Sequence, residues 1–455
     1  MAQVAAISHA DAGGIVAYRG AQPVSAASFL AEVELVAQRL PARSHLVNFC
    51  VDRYRFAVGL IAAMTRGQTS LLPPNQTPEM LRQLQRDYGE LYALTDALQE
   101  SSVIEQVMYP QVADATLCLT PMLPFSVPAF DEGQIAAIAF TSGSTGMPAA
   151  HRKTWGALAR GAEAEAERFG LHVGGRATLL GTVPAQHMYG LESTVLMALR
   201  GGLALHAGRP FYPADVAAAL AEIPGDRVLV TTPVHLRALL NEDIHLPPLR
   251  LIVCATAPLS AELAAQAEDR YRAPLHEVYG FTEAGMVATR RTVQGPSWHC
   301  LRDVSLHGGG ESITVAGGHV ENEVPFTDVI EPDGNAAFLL RGRSADLVNI
   351  AGKRTSLGYL NHQLNSIEGV RDGVFFMPDE HGGGVTRLTA FVVAPGLARD
   401  ALLGALRSRI DAVFLPRPLY FVDALPRNAT GKLPREALVR HAQACAAGAR
   451  REESA

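Results

Sequence analysis

Ile135-Ala-Ala-Ile-Ala-Phe-Thr-Ser-Gly-Ser-Thr-Gly-Met-Pro148 joins six apolar residues directly to a turn rich in glycine and hydroxyl groups. An apolar run without polar alternation is what a strand covered on both faces requires. Beyond it, Gly143 and Gly146 free the main chain to turn its N–H groups toward one point. Thr141, Ser142, Ser144 and Thr145 add hydroxyl donors, and together they make a cradle for polyphosphate oxygens. The spacing is not that of a Walker loop, because no G-x-x-x-x-G-K-[ST] pattern occurs. Taken alone, the stretch also fits an ordinary hydrophilic strand-to-helix turn.

The same texture extends on both sides. Phe29, Leu30, Val33, Val36, Ala37 and Leu40 recur at helical spacing, and residues 48–51 form a short apolar run of strand character. Residues 227–231 and 250–254 repeat the apolar strand, with a helix predicted over 233–240. Strands alternating with helices imply an α/β chain of layered sheets and helices with parallel pairing. After about residue 300 the strands shorten, and Glu331-Pro-Asp-Gly-Asn335 reads as a β-turn. The last 110 or so residues carry a smaller αβ pattern of their own, which predicts a large N-terminal domain over 1–342 and a small α+β domain over 343–455. Residues 446–455 are small and charged, as a frayed tail would be.

Composition removes several function classes. The 455 residues carry a net charge of −6 and offer no basic surface for nucleic acid. Five scattered cysteines, with no C-x-x-C pair, indicate neither a disulfide framework nor a zinc site. Neither a signal peptide nor an apolar run of membrane-spanning length is expected, so the sequence predicts a soluble, cytoplasmic protein without a membrane span.

Further motifs follow the hydroxyl loop in order: residues 278–285 (VYGFTEAG), 325–328 (PFTD), 341–346 (RGRSAD) and 425–435 (LPRNATGKLPR). Together they resemble the adenylate-forming (AMP-binding) superfamily of acyl-CoA synthetases, aryl-acid ligases, luciferases and nonribosomal adenylation domains. The likeness covers nearly the whole chain. It implies an ATP- and Mg²⁺-dependent enzyme whose small C-terminal domain is mobile. Residues 141–146 then bind phosphate, and Tyr279, with Gly280 and Phe281, meets adenine. Thr282 touches the phosphates, Glu283 holds Mg²⁺, and Asp328 and Arg343 bind the ribose. Lys432 corresponds to the lysine that bridges the acid's carboxylate and the α-phosphate. The chain departs from the pattern at Ala149, where the family has lysine, leaving Lys153 or Arg152 to supply the cation. It departs again at Ala345, the hinge position, where Asp or Lys is usual.

Residues 184–192 (PAQHMYGLE) resemble the segment that lines and gates the acyl pocket, which implicates His187, with Gly190 leaving space beside it. Residues 254–259 (CATAPL) resemble the turn bordering adenine and substrate, placing Ala255, Thr256 and Ala257 there. The variants over 343–354 are similar to ligases of aryl-polyene pigment pathways. That likeness implies an aryl acid such as a hydroxybenzoate, passed as its adenylate to coenzyme A or to the phosphopantetheine of an acyl carrier protein. A medium-chain fatty acid and an adenylating protein that makes no thioester stay open. A non-catalytic relative would lack Lys432 or Glu283, and a serine hydrolase would need a G-x-S-x-G elbow; neither condition is met.

Overall fold

The computed structural model describes residues 2–98, 103–110, 125–142, 148–171, 176–242, 244–256, 259–309, 312–326, 328–343, 347–350, 352–377, 387–426, 438–442 and 444–445. The chain divides into two compact units, one of residues 1–73, 84–140 and 150–344, the other of residues 74–83, 141–149 and 345–455.

The first unit owes its size to an eleven-stranded sheet. Its centre is parallel, with Leu275–Phe281, Leu251–Cys254, Arg227–Thr231, Thr178–Gly181, Ala204–His206 and Ile15–Arg19 side by side. These strands are the near-continuous apolar runs of the sequence, because helices cover them and leave no solvated face to alternate toward. The helix Pro233–Asn241 makes one of the crossovers. Thr232 caps it by accepting the His235 N–H, and Pro233 fills the first turn, where no N–H is needed. Beyond Phe281 the pairing turns antiparallel through Gly285–Arg290, Ser297–Cys300, Ala337–Arg343 and Asp328–Asp333. The turn read at 331–335 lies further on, at 334–336, with Gly334 at φ +70°: residues 331–333 still belong to the strand Asp328–Asp333. Ser305–Gly309, Ser312–Gly317 and Val320–Pro325 form a separate antiparallel meander.

A six-stranded sheet carries the apolar run that opens the sequence. Ile135–Ser142 lies between Pro148–Thr154 and Thr69–Leu72, and His45–Asn48, Leu91–Thr95 and Glu105–Met108 follow. Here one expectation is corrected. The strand read at 48–51 is His45–Asn48, and residues 49–52 leave the sheet. Polar side chains capture that backbone instead: Asn48 accepts the Cys50 N–H, and the Asp96 carboxylate accepts the N–H groups of Val51 and Asp52. Asp52 then caps the helix Arg53–Thr65 by accepting the Arg55 N–H. The guanidinium of Arg53, 1% exposed, donates to the carbonyls of Gly181 and Val183, which ties off the strand leading into residues 184–190.

The second unit has its own core. A three-stranded sheet of Asp372–Phe376, Thr389–Val393 and Leu419–Phe421 packs with the helices Leu357–Asn365 and Arg399–Arg407 around Leu360, Leu364, Phe375, Leu402 and Leu406. No helix among the described residues is long and apolar enough to cross a membrane.

Candidate active site

The segment 278–285 forms a hairpin at the end of the parallel array. Leu275–Phe281 runs out of the sheet, residues 282–284 turn, and Gly285–Arg290 returns antiparallel. Two glycines make the turn possible. A Cβ on Gly280 would lie 2.5 Å from the Gly285 carbonyl oxygen, closer than any real side chain comes. Gly285 has φ +81°, which an L side chain rarely adopts. The glycines therefore bring the two strands into contact and leave Thr282 and Glu283, both half-buried, on the turn.

Two residues predicted for nucleotide binding meet here. The Tyr279 hydroxyl donates to Asp328 Oδ2 at 2.8 Å. The other carboxylate oxygen, Oδ1, is buried and has no partner among the described residues. A buried acceptor left open is costly unless a ligand donates to it, so a ribose hydroxyl fits there. Tyr279 is itself only 7% exposed and belongs to an aromatic cluster with Phe281, Trp298 and Phe338. Phe326 stacks parallel to its ring with centroids 6.0 Å apart. Beside them in register, Ala255 and Thr256 continue the strand Leu251–Cys254, whose Cys254 pairs with Glu277. Thr256 sits at φ +82°, a strained backbone for a β-branched residue, and its buried hydroxyl has no partner among the described residues.

The alternation of the strand Pro148–Thr154 separates the two cations offered for the missing lysine. Arg152 directs its charge toward His45 and Tyr88. Lys153 points the other way, is 7% exposed, and donates from Nζ to the Glu283 carbonyl at 2.9 Å. His151, on the same face as Lys153, has Nε2 3.6 Å from Glu283 Oε1. Burial pushes the Lys153 ammonium below the ordinary lysine range, with the carboxylates of Glu192, Glu283 and Glu321 acting against it. Burial likewise pushes Glu192 up to about 7, opposed by the Lys153 charge and a hydrogen bond from the Met286 main chain. Neither Glu192 nor His319, which also meets this turn, stands out in the sequence. Glu192 has one faint signal, its place five residues after His187 in the gate segment.

His187 is the N-cap residue of the short helix Met188–Gly190, which runs straight into a π-helical turn, Leu191–Leu196. Its side chain is half-buried. Gly190 differs in its reason from the expectation: a Cβ there would lie 1.9 Å from the Pro184 carbonyl oxygen. The glycine admits a neighbouring backbone, and no room for substrate follows from it. Tyr189 is anchored in the sheet by donating to the carbonyls of Thr231 and Val253.

Thr141 closes the strand Ile135–Ser142, and Arg343 closes Ala337–Arg343. Gly143, Ser144, Thr145, Gly146, Ala257, Ala345 and Lys432 lie outside the described residues, as do the side chains of Ser142 and Arg343.

With this geometry in hand, the chain can be set beside known proteins. The sequence profile of the AMP-binding enzymes matches residues 61–308, and that of the AMP-binding enzyme C-terminal domain matches residues 362–432. A 4-coumarate–CoA ligase of Rhodobacter capsulatus is 31% identical over 306 residues, which is 65% of this chain and 74% of that one. The chondramide synthase of Chondromyces crocatus is 27% identical over 86% of this chain, which spans 11% of that much longer protein. Among solved structures, o-succinylbenzoate CoA synthetase from Bacillus subtilis superposes with a TM-score of 0.78 at 18% identity, covering 93% of this chain and 95% of its own.

Gly280→Ala tests the hairpin. Its new methyl group meets backbone at 2.5 and 2.9 Å, which cannot rotate away. We expect a loss of about 1–3 kcal/mol in stability, seen as a lower urea midpoint, together with weaker AMP binding by calorimetry. Unchanged AMP affinity would mean that this hairpin does not shape the nucleotide site.

Proposed function

This chain belongs to the family of AMP-binding enzymes, and on that footing we propose that it is an AMP-forming acid–thiol ligase acting on an aryl acid. In the first step a carboxylate oxygen of the acid attacks the α-phosphorus of ATP, and pyrophosphate leaves. In the second a thiolate sulfur attacks the acyl carbon, and AMP leaves. The observation that carries the nucleotide assignment is the bond from Tyr279 to Asp328, which leaves one buried carboxylate oxygen open beside an aromatic cluster.

The roles divide by chemistry. Residues 141–146 hold the phosphates through main-chain N–H groups and hydroxyls. Tyr279, Gly280 and Phe281 border adenine, Asp328 and Arg343 take the ribose, and Thr282 reaches a phosphate. The half-buried Glu283 would hold Mg²⁺, which would supply charge neutralisation at the phosphates. Lys432 bridges the attacking carboxylate and the α-phosphate, lowering their repulsion. His187 gates the acid pocket, bordered by Ala255, Thr256 and Ala257. Ala345 is the hinge at which the C-terminal domain turns between half-reactions. The thiol is that of coenzyme A or of a carrier protein's phosphopantetheine, and the reaction belongs in the cytoplasm.

Support for an aryl acid comes from the likeness to a ligase named for 4-coumarate and from the motif variants over 343–354. In acid-dependent ATP–pyrophosphate exchange, hydroxybenzoates and cinnamates should outcompete octanoate. The reverse order would favour the fatty-acid reading.

Lys432→Ala separates the half-reactions. A preorganised charge at the reacting phosphate is worth about 3–4 kcal/mol, so adenylate formation should fall by about two to three orders of magnitude. Transfer from a synthetic acyl-adenylate should change far less. Equal loss in both steps would contradict the assignment.

A further inference from the structure

Under the Glu283 turn lie three charged or polar side chains to which nucleotide binding gives no task. Lys153 donates to the Glu283 carbonyl. Glu192, 8% exposed, accepts the Met286 N–H, and its Oε1 lies 2.7 Å from where a Cβ on Gly285 would be. His319, 5% exposed, places Nε2 against the Met286 carbonyl. Three main-chain groups of residues 283–286 thus end on side chains from three separate elements: the strand Pro148–Thr154, the π-helical turn Leu191–Leu196, and the turn between Ser312–Gly317 and Val320–Pro325.

This is a costly way to satisfy a turn. Water would serve an exposed turn without burying an ammonium and a carboxylate, each of which loses hydration inside the protein. What water cannot do is fix the direction of the peptide planes. Lys153 holds residue 283, while Glu192 and His319 grip the N–H and carbonyl of residue 286, so the main chain between them is fixed at both ends. His151 stands beside the carboxylate that this main chain carries. Gly285 is the complement of the arrangement, since any side chain there would displace the Glu192 carboxylate.

We propose that Lys153, Glu192 and His319 are positioning residues that fix the main chain of residues 283–286 and thereby aim the Glu283 carboxylate at the metal ion of the bound nucleotide. The proposal rests on Glu283 as the Mg²⁺ ligand. It also gives Lys153 a task other than the phosphate contact made by the lysine that Ala149 replaces. Lys153 acts from beneath the turn, through a peptide carbonyl.

The test uses the full-length chain with two substitutions, Lys153→Met and Glu192→Gln, the second keeping both shape and an acceptor for the Met286 N–H. Hydrogen–deuterium exchange is measured without nucleotide or metal, and the Mg²⁺ concentration for half-maximal pyrophosphate exchange is measured beside the KM for the acid. Lys153→Met should speed amide exchange within 282–287 by about tenfold and raise the Mg²⁺ requirement by about tenfold, the scale of loss when a metal ligand's support is removed. Glu192→Gln should shift both in the same direction by a smaller factor, and the acid KM should hold steady in each. If Lys153→Met does not fold, Glu192→Gln decides alone. Folded variants with wild-type exchange and a wild-type Mg²⁺ requirement would overturn the proposal. If exchange quickens in them while Glu283→Gln keeps a normal Mg²⁺ dependence, the assignment of Glu283 falls and the clamp on the turn stands.

Discussion

Two strands meet at Gly280 and Gly285 with no space for a side chain between them, and the site is organised around that contact. The approach forces a sharp turn at the end of the parallel array, where Thr282 and Glu283 stand half-buried. It also leaves Tyr279, three residues before the turn, with its ring among Phe281, Trp298, Phe326 and Phe338 and its hydroxyl on Asp328. A larger residue at 280 would separate the strands, and the turn could not close. Sheet geometry thus determines where a carboxylate, a hydroxyl and a flat aromatic surface converge.

Energetically the region runs against the ordinary rule that charge stays outside. Lys153 and Glu192 lie beneath the turn, and desolvation opposes the charged form of each. Breaking such a pair from one side is commonly far more costly than replacing both partners with apolar groups. A chain selected only for stability would do as well with an apolar core there. Retaining the charges makes sense where a main-chain segment must hold one orientation, and that ties the packing of the large domain to the chemistry at its edge.

Much of this was legible in advance, for a physical reason. Strands buried on both faces appear as apolar runs, so Ile135–Ser142, Arg227–Thr231 and Leu251–Cys254 could be read directly. Ser25 and Thr232 cap two helix starts by accepting orphan N–H groups, a signal that the reading from apolar spacing left unused. The run at 48–51 misled because only Phe49 still bonds to the neighbouring strand, at the Leu94 carbonyl, while the side chains of Asn48 and Asp96 accept the N–H groups of the residues that follow. Gly190 was read as room for substrate, yet it admits the Pro184 carbonyl; a sequence shows that space is needed and not what fills it. Glu192 and His319 lie 93 and 34 residues along the chain from Gly285, and no local pattern announces that they meet one turn.

Of all these features, the open oxygen of Asp328 bears most directly on function, because the proposed ribose contact rests on it. The decisive measurement is calorimetric binding of a non-hydrolysable acyl-sulfamoyl adenosine and of its 2′,3′-dideoxy counterpart, to the wild-type chain and to Asp328→Ala. A buried carboxylate that accepts ribose hydroxyls should make the wild type prefer the ribose form by about tenfold or more, since hydrogen bonds to a charged group contribute about 1.5–3 kcal/mol. In Asp328→Ala that preference should nearly vanish, with the dideoxy form binding much as before. Equal affinity of the wild type for both forms, or a preference that survives the substitution, would contradict the account.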